Sequence, residues 1–123
     1  MSNESLYMRL GGYDGITAFV NDLLPRLQKD LILGRFWEHR GEDGVAREKQ
    51  LLIDFLCYSS GGPSYYTGRD MKTSHKGMRI TEEDWSVFLN HAADTMSDIQ
   101  ISELESREIV AFVASLKSDI VEG

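Results

Sequence analysis

Residues 61–81 read GGPSYYTGRDMKTSHKGMRIT, and this stretch decides how the rest of the chain is arranged. Its first three residues, Gly61, Gly62 and Pro63, interrupt a helical pattern that runs up to them. Glycine costs backbone entropy in a helix and proline has no amide hydrogen to donate, so a helix cannot continue through this point. The sequence therefore predicts that one helix ends near Ser60 and that a connecting segment follows.

The second half of the same stretch places one histidine among methionines and cations. A helical spacing resumes at Arg69 and puts Met71, His75 and Met78 at positions i, i+4 and i+7 on one side. The cations of this segment are Arg69, Lys72, Lys76 and Arg79. A neutral imidazole on an apolar stripe bordered by cations suits a bound anionic planar ligand. The alternative interpretation is a packed histidine beside a solvated basic surface.

The length and charge of the chain limit the classes of protein it can belong to. Its 123 residues can form one domain with a sizeable core, so a single domain spanning residues 1–123 is expected. The 13 Lys and Arg against 20 Asp and Glu give a net charge of −7, which disfavours nucleic acid and anionic membranes as partners. The sequence shows neither a signal-peptide core nor about eighteen consecutive apolar residues, and a cytoplasmic location is expected.

Amphipathic helices account for most of the chain. A short first helix is predicted at residues 5–10. Longer helices, each marked by an apolar stripe of helical period, are predicted at residues 16–27, 45–60, 81–96 and 102–121. Thr81 and Ser102 each precede an acidic residue by three positions, which is typical of a helix-capping box. No stretch shows the alternation of a half-buried strand, so an all-α domain is predicted.

The same stripes predict which side chains face the core. On helix 45–60 the predicted inner residues are Leu51, Leu52, Phe55, Leu56 and Ser59, and Cys57 is placed on a flank. On helix 81–96 they are Trp85, Phe88, Leu89, Ala92, Ala93 and Met96, which leaves His91 at the surface. Residues 31–37 form an apolar cluster, and residues 38–44 are predicted to be an exposed loop.

Several short motifs occur in an order and spacing that resemble one protein family. They are Leu10-Gly11-Gly12, Phe55-Leu56 ahead of Gly61-Gly62-Pro63, Tyr66-Thr67-Gly68, Met71, His75 and Ile80. Taken together, the chain resembles a truncated (abbreviated) haemoglobin of the first group over residues 5–115. The resemblance implies a globin fold reduced to a two-over-two helical sandwich, with haem b as the cofactor. Because Cys57 is the single cysteine and no Cys-x-x-Cys-His motif occurs, covalent thioethers to the haem are not expected.

The resemblance also implies a set of site residues. His75 matches the proximal ligand of the haem iron, and its second ring nitrogen is expected to donate to a backbone carbonyl near Met71. The expected contacts of the haem are Leu24, Phe36, Trp37, Lys49, Leu52, Phe55, Tyr66, Met71, Lys72, His75, Met78, Ile80 and Trp85. The basic residues among them, with Arg69, Lys76 and Arg79, would neutralise the two haem propionates.

The distal side departs from the family pattern. Many members of the first group carry Phe-Tyr where this chain has Leu23-Leu24, and Leu24 has no hydroxyl to donate to bound dioxygen. Two alignments are open for the glutamine that often assists this tyrosine: one places Leu52 there, and the other places Gln50. The indole N–H of Trp37 is a further candidate donor, and a plain stacking role on the haem is the alternative.

Function is therefore expected to be the binding of diatomic gases, namely oxygen, carbon monoxide and nitric oxide. The resemblance implies oxygen binding or nitric oxide detoxification, a reductase as partner, and a monomer or weak dimer. Lys49, His39 or Gln50 are candidates for a sixth ligand to the iron. Two alternatives remain open: a haem peroxidase or redox protein, which would need a distal acid or base such as His39 or Glu48, and a helical interaction module without haem.

Overall fold

The computed structural model describes residues 5–38, 41–62, 68 and 70–122, and within these ranges the regular structure is helical throughout. The helices are α1 (Leu6–Arg9), α2 (Gly12–Lys29), α3 (Glu42–Ser59), α4 (Met71–His75), α5 (Glu82–Asp98), α6 (Glu103–Ser115) and α7 (Lys117–Ile120). A 3₁₀ helix, Leu33–Trp37, lies between α2 and α3. The predicted all-α class is confirmed.

Helix α2 lies at the centre of the molecule and packs against both α3 and α5. The buried residues of its inner stripe are Ile16, Phe19, Val20, Leu23 and Leu27. Full burial of an apolar side chain of this size contributes about 1.5–3 kcal/mol each, so this stripe is a large share of the hydrophobic stabilisation. The helix continues through Pro25, which is exposed, and Leu24 is half-buried against the same core.

The face of α3 that packs into the core differs from the predicted one. Ile53 and Cys57, one turn apart, are 2% and 0% exposed, so Cys57 is a core residue and not a flank residue. The predicted inner residue Ser59 is exposed. Apolar residues occupy most of the circumference of α3 between positions 51 and 57, and periodicity therefore could not identify the side that α2 would cover. Burial raises the pKa of the Cys57 thiol, assisted by the nearby Asp54 carboxylate.

Helix α5 begins with the predicted capping box. The Thr81 hydroxyl accepts from the Asp84 amide at 3.1 Å, and the Asp84 carboxylate accepts from the Thr81 amide at 2.9 Å. Asp84 is 3% exposed, and its carboxylate also accepts from Arg35 at 2.7 Å. Burial opposes ionisation of this carboxyl, but the donors outweigh it and lower the pKa of Asp84. The box thus joins the 3₁₀ helix to α5.

Other boundaries and exposures correct the expectations in detail. α3 begins at Glu42, so part of the predicted 38–44 loop is helical, and the last helix is divided at Leu116 into α6 and α7. Leu31 is fully exposed and Ile32 is exposed, so the apolar cluster of residues 31–37 does not pack as one unit. Ala93 is exposed on α5. Among the described residues, no helix has the length and hydropathy needed to cross a membrane.

A buried hydroxyl connects α2 to α5. Thr95 is 0% exposed, and its hydroxyl donates to the Asp22 carboxylate at 2.8 Å. The same carboxylate accepts from Arg26 at 2.7 Å, and Arg26 also pairs with Asp98. Arg26 and, after it, Thr95 hold the pKa of Asp22 below its ordinary value. The carboxylate is therefore ionised at neutral pH and accepts a charge-assisted hydrogen bond from the core.

We expect Thr95→Val to lower the free energy of unfolding by about 1.5 kcal/mol, because the substitution removes a hydrogen bond to a charged group and preserves the branched shape. Thr17→Val is the matched control. The Thr17 hydroxyl is buried and has no partner among the described residues, so the same substitution should be neutral or slightly stabilising. Urea unfolding would measure the change in unfolding free energy of both variants. Equal changes would contradict a stabilising hydrogen bond between Thr95 and Asp22.

Candidate functional site around His75

The histidine of the 61–81 stretch lies at the end of a very short helix. Helix α4 has five residues, Met71–His75, and is capped by Asp70, whose side chain accepts from the Thr73 amide at 2.7 Å. It ends where Lys76 becomes extended and Gly77 adopts a φ of +86°. Met78 therefore lies beyond the helix. The predicted helical stripe of Met71, His75 and Met78 is wrong at its last member. A helix of this length does not persist by itself in water, and α4 packs against α7.

The imidazole of His75 is held by the helix that carries it. Its Nδ1 lies 2.9 Å from the carbonyl oxygen of Met71 and 3.0 Å from the hydroxyl of Ser74. Because a carbonyl oxygen can only accept, Nδ1 carries the proton of the neutral ring, and Nε2 presents its lone pair. Among the described residues, no hydrogen bond is made to Nε2. The expected contact to Met71 is therefore present, and the half-buried ring is arranged as a metal ligand requires.

Most of the other apolar residues predicted for the site are half-buried. They are Leu24, Phe36, Trp37, Leu52, Phe55, Met71 and Met78. Leu24, Phe36, Trp37 and Leu52, which lie on α2, the 3₁₀ helix and α3, all pack against the same core cluster. Ile80 and Trp85 are buried, at 9% and 5% exposure. Large apolar side chains that pack on the core but remain partly exposed can line a binding site for an apolar ligand.

Aromatic rings are concentrated among these residues. Phe36 and Trp37 meet edge to face with ring centroids 6.4 Å apart, and the Arg35 guanidinium lies 4.2 Å from the centroid of Phe36. Trp85 contacts Phe88 at 5.5 Å. Phe55 contacts Phe112 of α6 at 6.0 Å, so α3 and α6 meet at this point. The arrangement supplies flat apolar surfaces that can stack on a planar ligand.

Cations lie on the same segment as the histidine. Lys72, Lys76 and Arg79 are exposed, and Lys49 on α3 is half-buried. Side chains at such positions reach an anionic group at the protein surface without a large desolvation cost. Three residues considered for the site, Tyr66, Arg69 and His39, lie outside the described residues.

The two candidate distal donors differ in position. Gln50 is exposed, and its side-chain amide donates to the Tyr13 hydroxyl at 3.1 Å and to the Asp54 carboxylate at 3.0 Å. These contacts hold Gln50 on the outer side of α3. Trp37 is half-buried at the edge of the core. Of the two, Trp37 has the position that better suits a hydrogen-bond donor to a ligand bound inside the protein.

His91, expected at the surface, is a structural residue. It is half-buried, and its Nε2 lies 2.7 Å from the Asp30 carboxylate. The other oxygen of Asp30 accepts from the amides of Ile32 and Leu33 at 2.8 and 3.0 Å. His91 and these amides lower the pKa of Asp30. The pair joins the end of α2 to α5, which sequence reasoning missed because the two residues are 61 positions apart.

The described part of the chain contains no group of three or more His, Cys, Asp or Glu side chains that could hold a metal ion. A lone histidine ligand would suit a metal whose remaining positions are filled by a planar macrocycle. The residues present fit a haem on three separate counts: the oriented Nε2, the half-buried apolar and aromatic side chains, and the adjoining cations.

The chain matches known proteins over nearly its whole length. The family model described as Bacterial-like globin matches residues 5–122. The group 1 truncated hemoglobin GlbN of Mycolicibacterium paratuberculosis (strain ATCC BAA-968 / K-10) is 29% identical over 119 residues, covering 97% of this chain and 85% of that protein.

Solved structures show the same fold. The Fe(III) form of truncated hemoglobin from Tetrahymena pyriformis is 22% identical, with a TM-score of 0.86 and coverage of 96% of this chain and 98% of that chain. The 2/2 hemoglobin from Synechococcus sp. PCC 7002, solved in the cyanomet state with covalently attached heme, is 24% identical, with a TM-score of 0.86 over 98% of this chain and 100% of that chain. These matches confirm the predicted two-over-two helical sandwich.

Proposed function

Because the chain belongs to the bacterial-like globin family, we propose that it holds haem through His75 and binds oxygen or detoxifies nitric oxide on the opposite side. Membership in this family makes non-covalent haem b the cofactor and the binding of small gaseous ligands the general activity. The observation that carries the assignment of His75 is the hydrogen bond between its Nδ1 and the Met71 carbonyl. When bound, haem would supply the iron at which a diatomic gas binds.

On the proximal side, the backbone of α4 orients the ligand. The Met71 carbonyl accepts from Nδ1 at 2.9 Å, which fixes both the tautomer and the rotation of the His75 ring. Accepting this hydrogen bond increases the basicity of Nε2 and so would strengthen its bond to a metal. The assignment needs no other histidine, since His91 is engaged with Asp30.

Around the plane of the haem, the chain offers apolar surfaces and charge. We assign stacking contacts to Phe36, Trp37 and Phe55, which are half-buried and aromatic. Leu52, Met71, Met78, Ile80 and Trp85 are assigned as further apolar contacts. The propionates are assigned to the cations Lys49, Lys72, Lys76 and Arg79, and to Tyr66, which lies outside the described residues. Because these cations are mostly exposed, each is expected to contribute only ~0–1 kcal/mol.

On the distal side, the protein offers little hydrogen bonding to a gas. Leu24 has an apolar side chain, and the amide of Gln50 is engaged at the surface with Tyr13 and Asp54. A hydrogen-bond donor on this side would strengthen the retention of dioxygen more than that of carbon monoxide. We therefore propose Trp37, whose indole N–H can donate, as the source of any distal hydrogen bond.

We further propose a cytoplasmic location, a reductase as electron donor, and a monomer or weak dimer. A net charge of −7 supports a partner other than nucleic acid or an anionic membrane.

We expect the protein with haem to melt at a markedly higher temperature than the apo protein. A ligand that binds only the folded state stabilises it by mass action, by about 4 kcal/mol when its concentration is a thousand times Kd. Circular dichroism melts of apo protein with and without one equivalent of haem would measure the shift, and the absorption spectrum would report the Soret band. Equal melting temperatures and a missing Soret band would contradict a haem bound in the core. They would favour the alternative of a helical interaction module without haem.

A further inference from the structure

The segment that follows His75 is tied to the chain beyond α7 by one carboxylate. Glu122 accepts from the backbone amides of Gly77 at 3.1 Å and Arg79 at 2.8 Å. The backbone amide of Glu122 donates to the carbonyl of Ile80 at 2.8 Å. One residue therefore makes three hydrogen bonds to the short connection between His75 and Thr81.

The backbone of this connection has an unusual shape that the carboxylate matches. Gly77 has a φ of +86° and Arg79 a φ of +57°, both in the left-handed region that is costly for a residue with a side chain. This shape turns two amides separated by one residue toward the same acceptor. The two amides in turn hold the pKa of the Glu122 carboxyl below its ordinary value, so the carboxylate is ionised at neutral pH.

The position of His75 depends on what lies on both sides of α4. Before the helix, Asp70 caps it; after it, the chain is extended at Lys76 and then enters the segment bound by Glu122. α4 also packs against α7, which ends two residues before Glu122. A five-residue helix has little stability of its own. Its placement therefore comes from these tertiary contacts.

We propose that Glu122 is a positioning residue for His75: its carboxylate fixes the segment 76–80 and thereby the direction in which the histidine presents Nε2 to the haem iron. The inference rests on the proposed function, because it takes His75 as the iron ligand. Glu122 does not itself touch the ligand ring. It acts through the backbone of Gly77 and Arg79, in the way that groups outside a metal's ligand set commonly orient the ligand.

The test compares Glu122→Ala and Glu122→Gln with Asp119→Ala in the haem-loaded protein. Asp119 is an exposed acidic residue on α7, so its removal changes the net charge of the same region equally without affecting segment 76–80. The iron–histidine stretching band of the ferrous protein, measured by resonance Raman, reports the geometry of the ligand. We expect this band to shift and broaden in Glu122→Ala, less in Glu122→Gln, and not in Asp119→Ala.

Two further measurements on the same variants accompany the resonance Raman spectra. Loss of haem to an excess of an acceptor apoprotein should be roughly tenfold faster in Glu122→Ala than in wild type, in line with the removal of hydrogen bonds to a charged group. Amide hydrogen exchange at Gly77 and Arg79 should accelerate by a similar factor. Unchanged exchange would overturn the proposal, because the contact would then be absent. Accelerated exchange with an unchanged iron–histidine band would also overturn it, because His75 would then be placed without Glu122.

Failure of the proposed function would look different. If the wild-type protein bound no haem, or if its iron–histidine band survived replacement of His75, the ligand assignment would be wrong whatever Glu122 does. The exchange rates of Gly77 and Arg79 do not need haem, so they still decide whether Glu122 holds the segment.

Discussion

Replacing His75 with alanine is expected to abolish stable haem retention, or to leave a haem whose spectrum is restored by added imidazole. The side chain of His75 presents Nε2, with Nδ1 held by the Met71 carbonyl at 2.9 Å, and alanine offers no ligand in its place. Free imidazole can occupy the vacated volume and supply the missing nitrogen. Absorption spectra of the ferric, ferrous and ferrous–carbon monoxide forms, with and without imidazole, measure the effect.

The other histidines provide the controls. His91→Ala should keep the wild-type ferrous–carbon monoxide spectrum, and it should lower stability, because Asp30 loses the partner at 2.7 Å that ties α2 to α5. His39→Ala is likewise expected to leave that spectrum unchanged. A His75→Ala protein with an unaltered spectrum would show that the iron ligand is another residue.

Leu24→Tyr is expected to slow the dissociation of oxygen roughly ten- to a hundredfold, because a hydrogen bond to a charged acceptor contributes ~1.5–3 kcal/mol. Position 24 lies on α2, which continues through Pro25, and the leucine is half-buried against the core. A hydroxyl introduced there would donate to the partly negative dioxygen, and autoxidation should slow with it. Dissociation of carbon monoxide should change much less. Stopped-flow measurements with both gases give the comparison.

Two variants test where a distal donor comes from. Trp37→Phe removes the indole N–H and keeps an aromatic ring, and Gln50→Leu removes the amide that contacts Tyr13 and Asp54. Since Gln50 is held at the surface, its replacement should leave oxygen dissociation unchanged. If wild type already retains oxygen tightly and Gln50→Leu releases it, the apolar distal side is wrong and Gln50 is the donor.

The cap of α5 and the site histidine show how far local sequence reasoning reaches. The Thr81–Asp84 capping box and the contact of His75 with Met71 both join residues three or four positions apart, and both are present as expected. Such contacts are set by helix geometry, which brings these positions together wherever the helix lies in the molecule. The end of α3 before Gly61 follows for a similar reason, because backbone entropy and the missing amide of Pro63 act within a few residues.

Tertiary structure decided the features that depend on a second element. Periodicity marked α3 as amphipathic, but only the approach of α2 selected Ile53 and Cys57 as the buried pair among apolar residues that occupy most of its circumference. The pairing of His91 with Asp30 spans 61 positions.

The contacts of Glu122 with Gly77 and Arg79 span 45 and 43 positions. Contacts at such separations depend on how whole helices are oriented, and helix orientation is a property of the packed core rather than of any local pattern. The sequence by itself thus determined the all-α class, the end of α3, the cap of α5 and the histidine with its nearest carbonyl. The packed core decided which faces are buried and what holds the histidine's segment in place.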